Sequence, residues 1–227
     1  MNVTFADRTR IGLNIAFALA QPSISGGVFF RGFKTAPVPN PTALPTPIQP
    51  ATYAFSIWFV ILLGCLAYAI YQTLPRNRDN SLFHAIGWAT AATMGLCCTW
   101  PLVARFGPVF MTVPIIFLML ATLLRALQLL MASHPRGALR WAVTAPLGLY
   151  AGWLAVAAFA NTQEILTGYN IDVVANAPVP WAIGMIAGAA VVAAVGSIIT
   201  HANPFFLSAI AWALAAIIAG NANDPTT

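Results

Sequence analysis

Residues 109–131 read VFMTVPIIFLMLATLLRALQLLM, an apolar run interrupted by a single charge, Arg125. A helix needs about 20 such residues to cross the hydrocarbon core of a bilayer. Backbone polar groups in lipid must be satisfied within the segment, so a run of this kind is helix. The rest of the chain repeats the theme. Hydrophobic residues make up 59% of the 227 and charged residues 7%, and the mean hydropathy is +0.80. Soluble domains carry roughly 25% charged residues, so too few charges are present for a water-facing shell. A soluble enzyme, a nucleic-acid-binding module and a disordered chain are excluded on the same ground. The net charge of +5 comes from basic residues scattered between the apolar runs, where the positive-inside rule places them.

Working outward, six further stretches have spanning length: 11–30, 52–72, 83–103, 141–165, 181–200 and 204–220. The first is the weakest, interrupted by Asn14, Gln21, Ser23 and Ser25. No alternating ten-residue strands are present that could close a barrel. The expected fold is therefore all-α, an integral membrane bundle of about seven transmembrane helices. Pro75, Pro108, Pro135, Pro180 and Pro204 mark the ends of runs, and Pro101, Pro114 and Pro146 are candidate kinks. Residues 31–50, RGFKTAPVPNPTALPTPIQP, are too polar and stiff to span. They read as an extended linker or as a lid over the mouth of the bundle. The last two runs are separated by His201, Ala202 and Asn203, which predicts a tight helical hairpin. Gly184 and Gly188 give its first helix a small-residue face for close packing.

Arg8 and Arg10 before an apolar run, with Ala18-Leu19-Ala20, imitate a secretory signal. The run continues toward Phe30, so the expectation is an uncleaved first helix. With seven spans, Arg8, Arg10, Arg76, Arg78, Arg136 and Arg140 fall on the N-terminal side, against Arg31, Lys34 and Arg105 on the other. That asymmetry predicts a cytoplasmic N-terminus, in the inner (cytoplasmic) membrane of a bacterium.

Catalytic patterns are lacking: the chain has five acidic residues and no metalloprotease, nucleophile-elbow, P-loop or dinucleotide pattern. The expectation is no enzyme and no metal site. His84, His134 and His201 stand at helix ends or loops, as interfacial residues or, alternatively, as an axial ligand to a tetrapyrrole. Cys65, Cys97 and Cys98 lie inside apolar runs and read as buried free thiols. Arg125 snorkels to the headgroups, pairs inside the bundle or binds an anionic group of a ligand.

The most informative pattern is in 145–166, APLGLYAGWLAVAAFANTQEIL. Tyr150, Trp153, Ala157, Asn161 and Glu164 share one helical face. An aromatic stripe ending in an amide and a carboxylate suits an amphipathic ligand, and ordinary packing accounts for it equally. In 52–72, Trp58, Leu62, Cys65, Ala69 and Gln72 share a face, with Phe55 one turn before Trp58.

Together these two helices resemble the TspO/MBR family, the tryptophan-rich sensory proteins that include the translocator protein. The residues that carry the resemblance are Phe55-Ser-Ile-Trp58 after a proline-rich approach, with Gly64 and Tyr68 following, and Pro146-Leu-Gly-Leu-Tyr150-Ala-Gly-Trp153 continuing to Asn161. Trp100 is similar to the Trp of the family's Asn-x-x-Trp, with Cys97 standing where the Asn would be. No Lys or Arg follows Tyr169 within reach, so the cholesterol-recognition pattern is incomplete. The resemblance covers roughly residues 10–166 and is nearest the family's longer bacterial branch. It implies a five-helix core in 1–166 and two additional transmembrane helices in 167–227. It also implies a porphyrin or other tetrapyrrole as ligand, with Tyr53, Phe55, Trp58, Trp100, Tyr150, Trp153 and Asn161 as the pocket residues. The resulting expectation is a bilayer protein binding a hydrophobic or tetrapyrrole-type ligand for transport, sensing or regulation. The alternative is a non-catalytic accessory subunit of a larger membrane complex, such as a photosynthetic pigment–protein assembly.

Overall fold

The computed structural model describes residues 4–29, 48–78, 80–169, 171 and 176–222. Among them stand seven long helices: α1 (Phe5–Phe29), α2 (Ile57–Tyr71), α3 (Ser81–Phe106), α4 (Thr112–Ala132), α5 (Ala145–Gly168), α6 (Pro178–Ile199) and α7 (Pro204–Asn221). Short 3₁₀ turns lead into α2 and α4, and a π turn, Arg140–Thr144, leads into α5. No strand occurs among the described residues. Six of the helical segments, those carrying α2 to α7, are long and apolar enough to cross a membrane. The chain is an all-α membrane bundle, as its composition requires.

Helix ends follow local chemistry. Thr4 and Asp7 form a reciprocal capping box: the Thr4 N–H donates to Asp7 Oδ2 and the Asp7 N–H to Thr4 Oγ1, each at 3.2 Å. This starts α1 six residues before the apolar run. Asn80 caps α3 by accepting from the Leu82 N–H at 2.9 Å, and Asn203 caps α7 by accepting from Phe205 and Phe206. Pro146 brings no N–H to the first turn of α5, and the π turn before it absorbs the missing ladder bond.

Five helices close a ring in the order α1, α2, α5, α4, α3, each packed on the next and α3 back on α1. The α1–α3 contact is parallel and polar. Arg10 Nη1 donates to the Phe83 carbonyl at 2.7 Å, Asn14 Nδ2 to Gly87 at 2.9 Å and Gln21 Nε2 to Met94 at 3.3 Å. Two of the residues that make 11–30 the weakest span, Asn14 and Gln21, thus bind α1 along a spanning helix. Arg10, assigned from the sequence to the aqueous flank, is buried at 1% exposure.

α5 is the hub. It touches α2, α4, α6 and α7 and is buried on almost every side, as expected of a helix that is apolar all round. Its small residues let neighbours approach. A Cβ on Gly152 would collide with the Phe206 carbonyl of α7, and Gly64 of α2 lies directly against Pro146. Here the structure corrects the expected hairpin. α6 and α7 touch each other little, because each packs on α5 instead. Gly188 faces the Phe159 ring of α5, and Gly184 has nothing within 4 Å.

Arg125 faces outward and donates to Gln128 Oε1 at 2.7 Å, one turn on, so it does not pair inside the bundle. Phe59, Leu63, Ile183, Val191 and Ile198 likewise face outward, as residues in contact with lipid do.

Candidate functional site

One end of the ring gathers the start of α2 and α4 with the end of α3, α5 and α7. The 3₁₀ turn Thr52–Ser56 is fixed there by α7: the Ala51 N–H donates to the Ala216 carbonyl at 2.9 Å and Trp212 Nε1 donates to the Ala54 carbonyl at 3.0 Å. This anchoring holds Phe55 and Trp58 toward α5. Their rings continue a chain of edge-on contacts: Trp58 meets Tyr150 at 5.5 Å and Trp153 at 6.5 Å between centroids, and Phe55 meets Trp153 at 5.8 Å. Edge-to-face geometry is what ring quadrupoles favour.

These rings wall a cavity of about 550 Å³, within the usual range for small-molecule sites. α3 contributes Cys97, Trp100 and Pro101, α4 contributes Ile116 and Met119, and α7 contributes Ala213 and Ile217. α5 supplies the longest wall. Trp153 lies toward the inner end and Ala157, Asn161 and Glu164 follow turn by turn toward the mouth. Gln49, Pro50 and Thr52 border the same space. The Asn161 Oδ1 atom is buried and accepts no hydrogen bond.

Of the seven residues singled out from the sequence, Phe55, Trp58, Trp100, Trp153 and Asn161 border this cavity. Tyr150 does not. It is fully buried beneath Trp58, a support for the wall rather than part of it. Tyr53 does not either. It is half exposed, and its ring stands edge-on to Trp212 at 5.5 Å. Residues 31–47 of the proline-rich stretch lie outside the described residues, so the linker and lid readings apply only to 48–50, of which Gln49 and Pro50 edge the cavity. Ile116, Met119, Ala213 and Ile217 carried no functional signal of their own in the sequence, because nothing local says that α4 and α7 turn these faces to α5. The three cysteines are buried and free.

None of the histidines lines the cavity. His84 stands at the opposite end of the ring, with Nδ1 2.7 Å from Asp7 Oδ1, and His134 and His201 are exposed in turns after α4 and α6. An axial ligand to a cavity-bound tetrapyrrole is therefore not offered by any of them. Among the described residues no group of three or more His, Cys, Asp or Glu could hold a metal ion.

Around His84 lies a second polar constellation. Asp7 Oδ1 is 3.7 Å from Arg10 Nη2, and Arg10 Nη1 also reaches Gln72 Oε1 at 3.4 Å. Deeper in the bundle, Thr90 Oγ1 donates to Asn14 Oδ1 at 2.9 Å and lies 2.8 Å from the Tyr68 hydroxyl. The hydroxyl of Thr4, then its backbone N–H and lastly the neighbouring His84 and Arg10 hold the Asp7 carboxyl below the usual aspartate range, against an opposing effect of burial. Asp7 precedes the membrane-spanning run. Sequence reading missed this network, although Asp7, Arg10, Asn14 and Gln21 recur at helical spacing on one face of α1.

No curated protein and no solved structure matches the chain. A family model described as TSPO-like protein matches residues 13–227, a span that takes in α6 and α7 as well as the five-helix ring. The ring, the aromatic wall between α2 and α5 and this near-complete match place the chain in the TSPO-like protein family, of which it is a member.

Proposed function

We propose that the cavity between α2, α3, α4, α5 and α7 binds a flat, hydrophobic ligand of the tetrapyrrole type, for transport, sensing or regulation, without catalysis. Membership of the TSPO-like family gives the general role, ligand binding or transport in a membrane. The observation that carries the finer reading is the cavity itself: about 550 Å³, walled by Phe55, Trp58, Trp100 and Trp153 and polar only toward its mouth. Aromatic faces take the flat body of such a ligand, and a few polar groups at one end fix its orientation. The count of Lys and Arg, five to three once the buried Arg10 is set aside, supports a cytoplasmic N-terminus, and the membrane we assign is the inner membrane of a bacterium. The cavity then opens toward the outer face, since α1 begins at the opposite end.

The test is titration of the detergent-solubilised protein with a porphyrin dimethyl ester, followed by quenching of tryptophan fluorescence and by melting temperature. Saturable quenching with a rise in melting temperature is expected. Trp153→Ala should weaken it about tenfold or more, an aromatic stack being worth roughly 0.5–1.5 kcal/mol beyond its buried area. Absence of saturable quenching in the unaltered protein would remove this reading. Stoichiometric co-purifying subunits in that case would support the accessory-subunit alternative.

A further inference from the structure

The cavity wall carries one charged side chain, Glu164, and no Lys, Arg or His among the described residues. Glu164 follows Asn161 by three positions on α5, so both lie on one face at the mouth. No ion pair or hydrogen bond engages the Glu164 carboxylate among the described residues. The Asn161 carbonyl oxygen is buried and unpaired as well. Both are acceptors, and the buried Asn161 oxygen in particular is left without a donor.

From this we infer that the ligand of the cavity presents a cationic or N–H-donor head group to Glu164 and Asn161, and not a carboxylate. The inference rests on the cavity reading above and narrows its ligand class. A carboxylate head would meet Glu164 charge to charge at the edge of a low-dielectric bundle, where repulsion is poorly screened. An ammonium head would instead pair with Glu164, while the apolar body of the ligand lies deeper along α5 against Trp153. A tetrapyrrole bearing amines, or one whose acids are amidated, satisfies this wall; an esterified one merely avoids the repulsion, and a free dicarboxylate does neither.

Three porphyrins sharing one macrocycle test the idea: the dicarboxylate, its dimethyl ester and its bis(aminoethyl)amide. Each is titrated into the full chain in detergent, with tryptophan quenching as readout. The dication should bind about tenfold tighter than the ester, equivalent to about 1.4 kcal/mol, and the dicarboxylate more weakly than the ester. Glu164→Gln should erase both differences, so that the three probes bind within about twofold of one another. Glu164 is exposed, so the substitution spares the fold, which the ligand-free melting temperature checks. Equal binding of all three probes, or preference for the dicarboxylate, overturns the head-group inference and leaves the cavity reading in place. Absence of saturable binding by any of them overturns both.

Discussion

Arg10 and Phe83 stand 73 positions apart, and the Arg10 guanidinium donates to the Phe83 carbonyl at 2.7 Å. Asn14 with Gly87 and Gln21 with Met94 repeat that separation. A constant offset means that α1 and α3 run parallel in a single register, fixed by polar side chains reaching backbone carbonyls. Such carbonyls already serve their own helix and accept a further bond through the second lone pair.

Gly87 makes room for this contact. A Cβ at that position would fall 2.5 Å from Arg10 Nη1 and 2.6 Å from its Cδ. Gly87→Val should therefore displace the guanidinium and cost about 1–3 kcal/mol, the usual penalty for overpacking. Gly12, on the same α1, has nothing within 4 Å of its Cβ position. Gly12→Ala should be neutral or stabilising by up to about 1 kcal/mol through helix propensity. Thermal unfolding in detergent reads both. An unchanged melting temperature for Gly87→Val would show that the α1–α3 register does not depend on the buried arginine.

Asn14, Thr90 and Tyr68 form a chain of hydrogen bonds through buried space. Asn14→Leu should cost about 1–2 kcal/mol, the upper range for interhelical hydrogen bonds in membranes. Tyr68→Phe should cost less. Because both act through the Thr90 hydroxyl, the double variant should lose less than the sum of the singles. Strict additivity would mean that the three side chains are independent.

The seven apolar runs, the helix that each one forms and the aromatic stripe on α5 were legible in the sequence, because hydropathy and helical period are local properties. Asn161 and Trp153 could be placed on one face of α5 from spacing alone. What lay opposite that face could not. α6 and α7 were expected to pair through Gly184 and Gly188, since a short turn brings them together. In the structure the small residues of α5 offer a closer approach than α6 and α7 offer each other. Ala213 and Ile217 reach the cavity for that reason. Arg10 was misread for a related cause: a basic residue next to an apolar run is ordinarily a membrane flank, and only the partner helix shows that this one is covered.

The Asp7 carboxylate gives the α1 end a pH dependence of known sign. Its affinity for protons is lowered in the folded protein, chiefly by the Thr4 hydroxyl. A lowered folded pKa adds stability above the unfolded value of about 3.9 and loses it as pH falls through the lower folded value. The melting temperature should accordingly drop on acidification below about pH 4. Asp7→Asn should flatten that decline, since the amide does not titrate. A decline of unchanged steepness in the variant would assign the acid sensitivity to other carboxylates.

The contrast between Gly152 and Gly184 decides how the two last helices are held. A Cβ on Gly152 would meet the Phe206 carbonyl of α7 at less than contact distance and would come 2.9 Å from the Ala209 Cβ. Backbone cannot yield as a flexible side chain does, so Gly152→Val must push α7 away from α5. In lipid that separation is not opposed by hydrophobic attraction, because acyl chains are as apolar as the helix, and close van der Waals contact is the force that is lost. α7 also anchors the turn before Phe55 through Ala216 and Trp212, so the same substitution should loosen the aromatic wall. The expected result is a lowered melting temperature together with weaker quenching by the porphyrin ester. Gly184→Leu adds bulk where nothing stands within 4 Å and should leave both measurements unchanged. If Gly184→Leu proves the more damaging of the two, the α6 face is packed against something other than lipid. The placement of α6 and α7 on α5 would then not be what holds the bundle together.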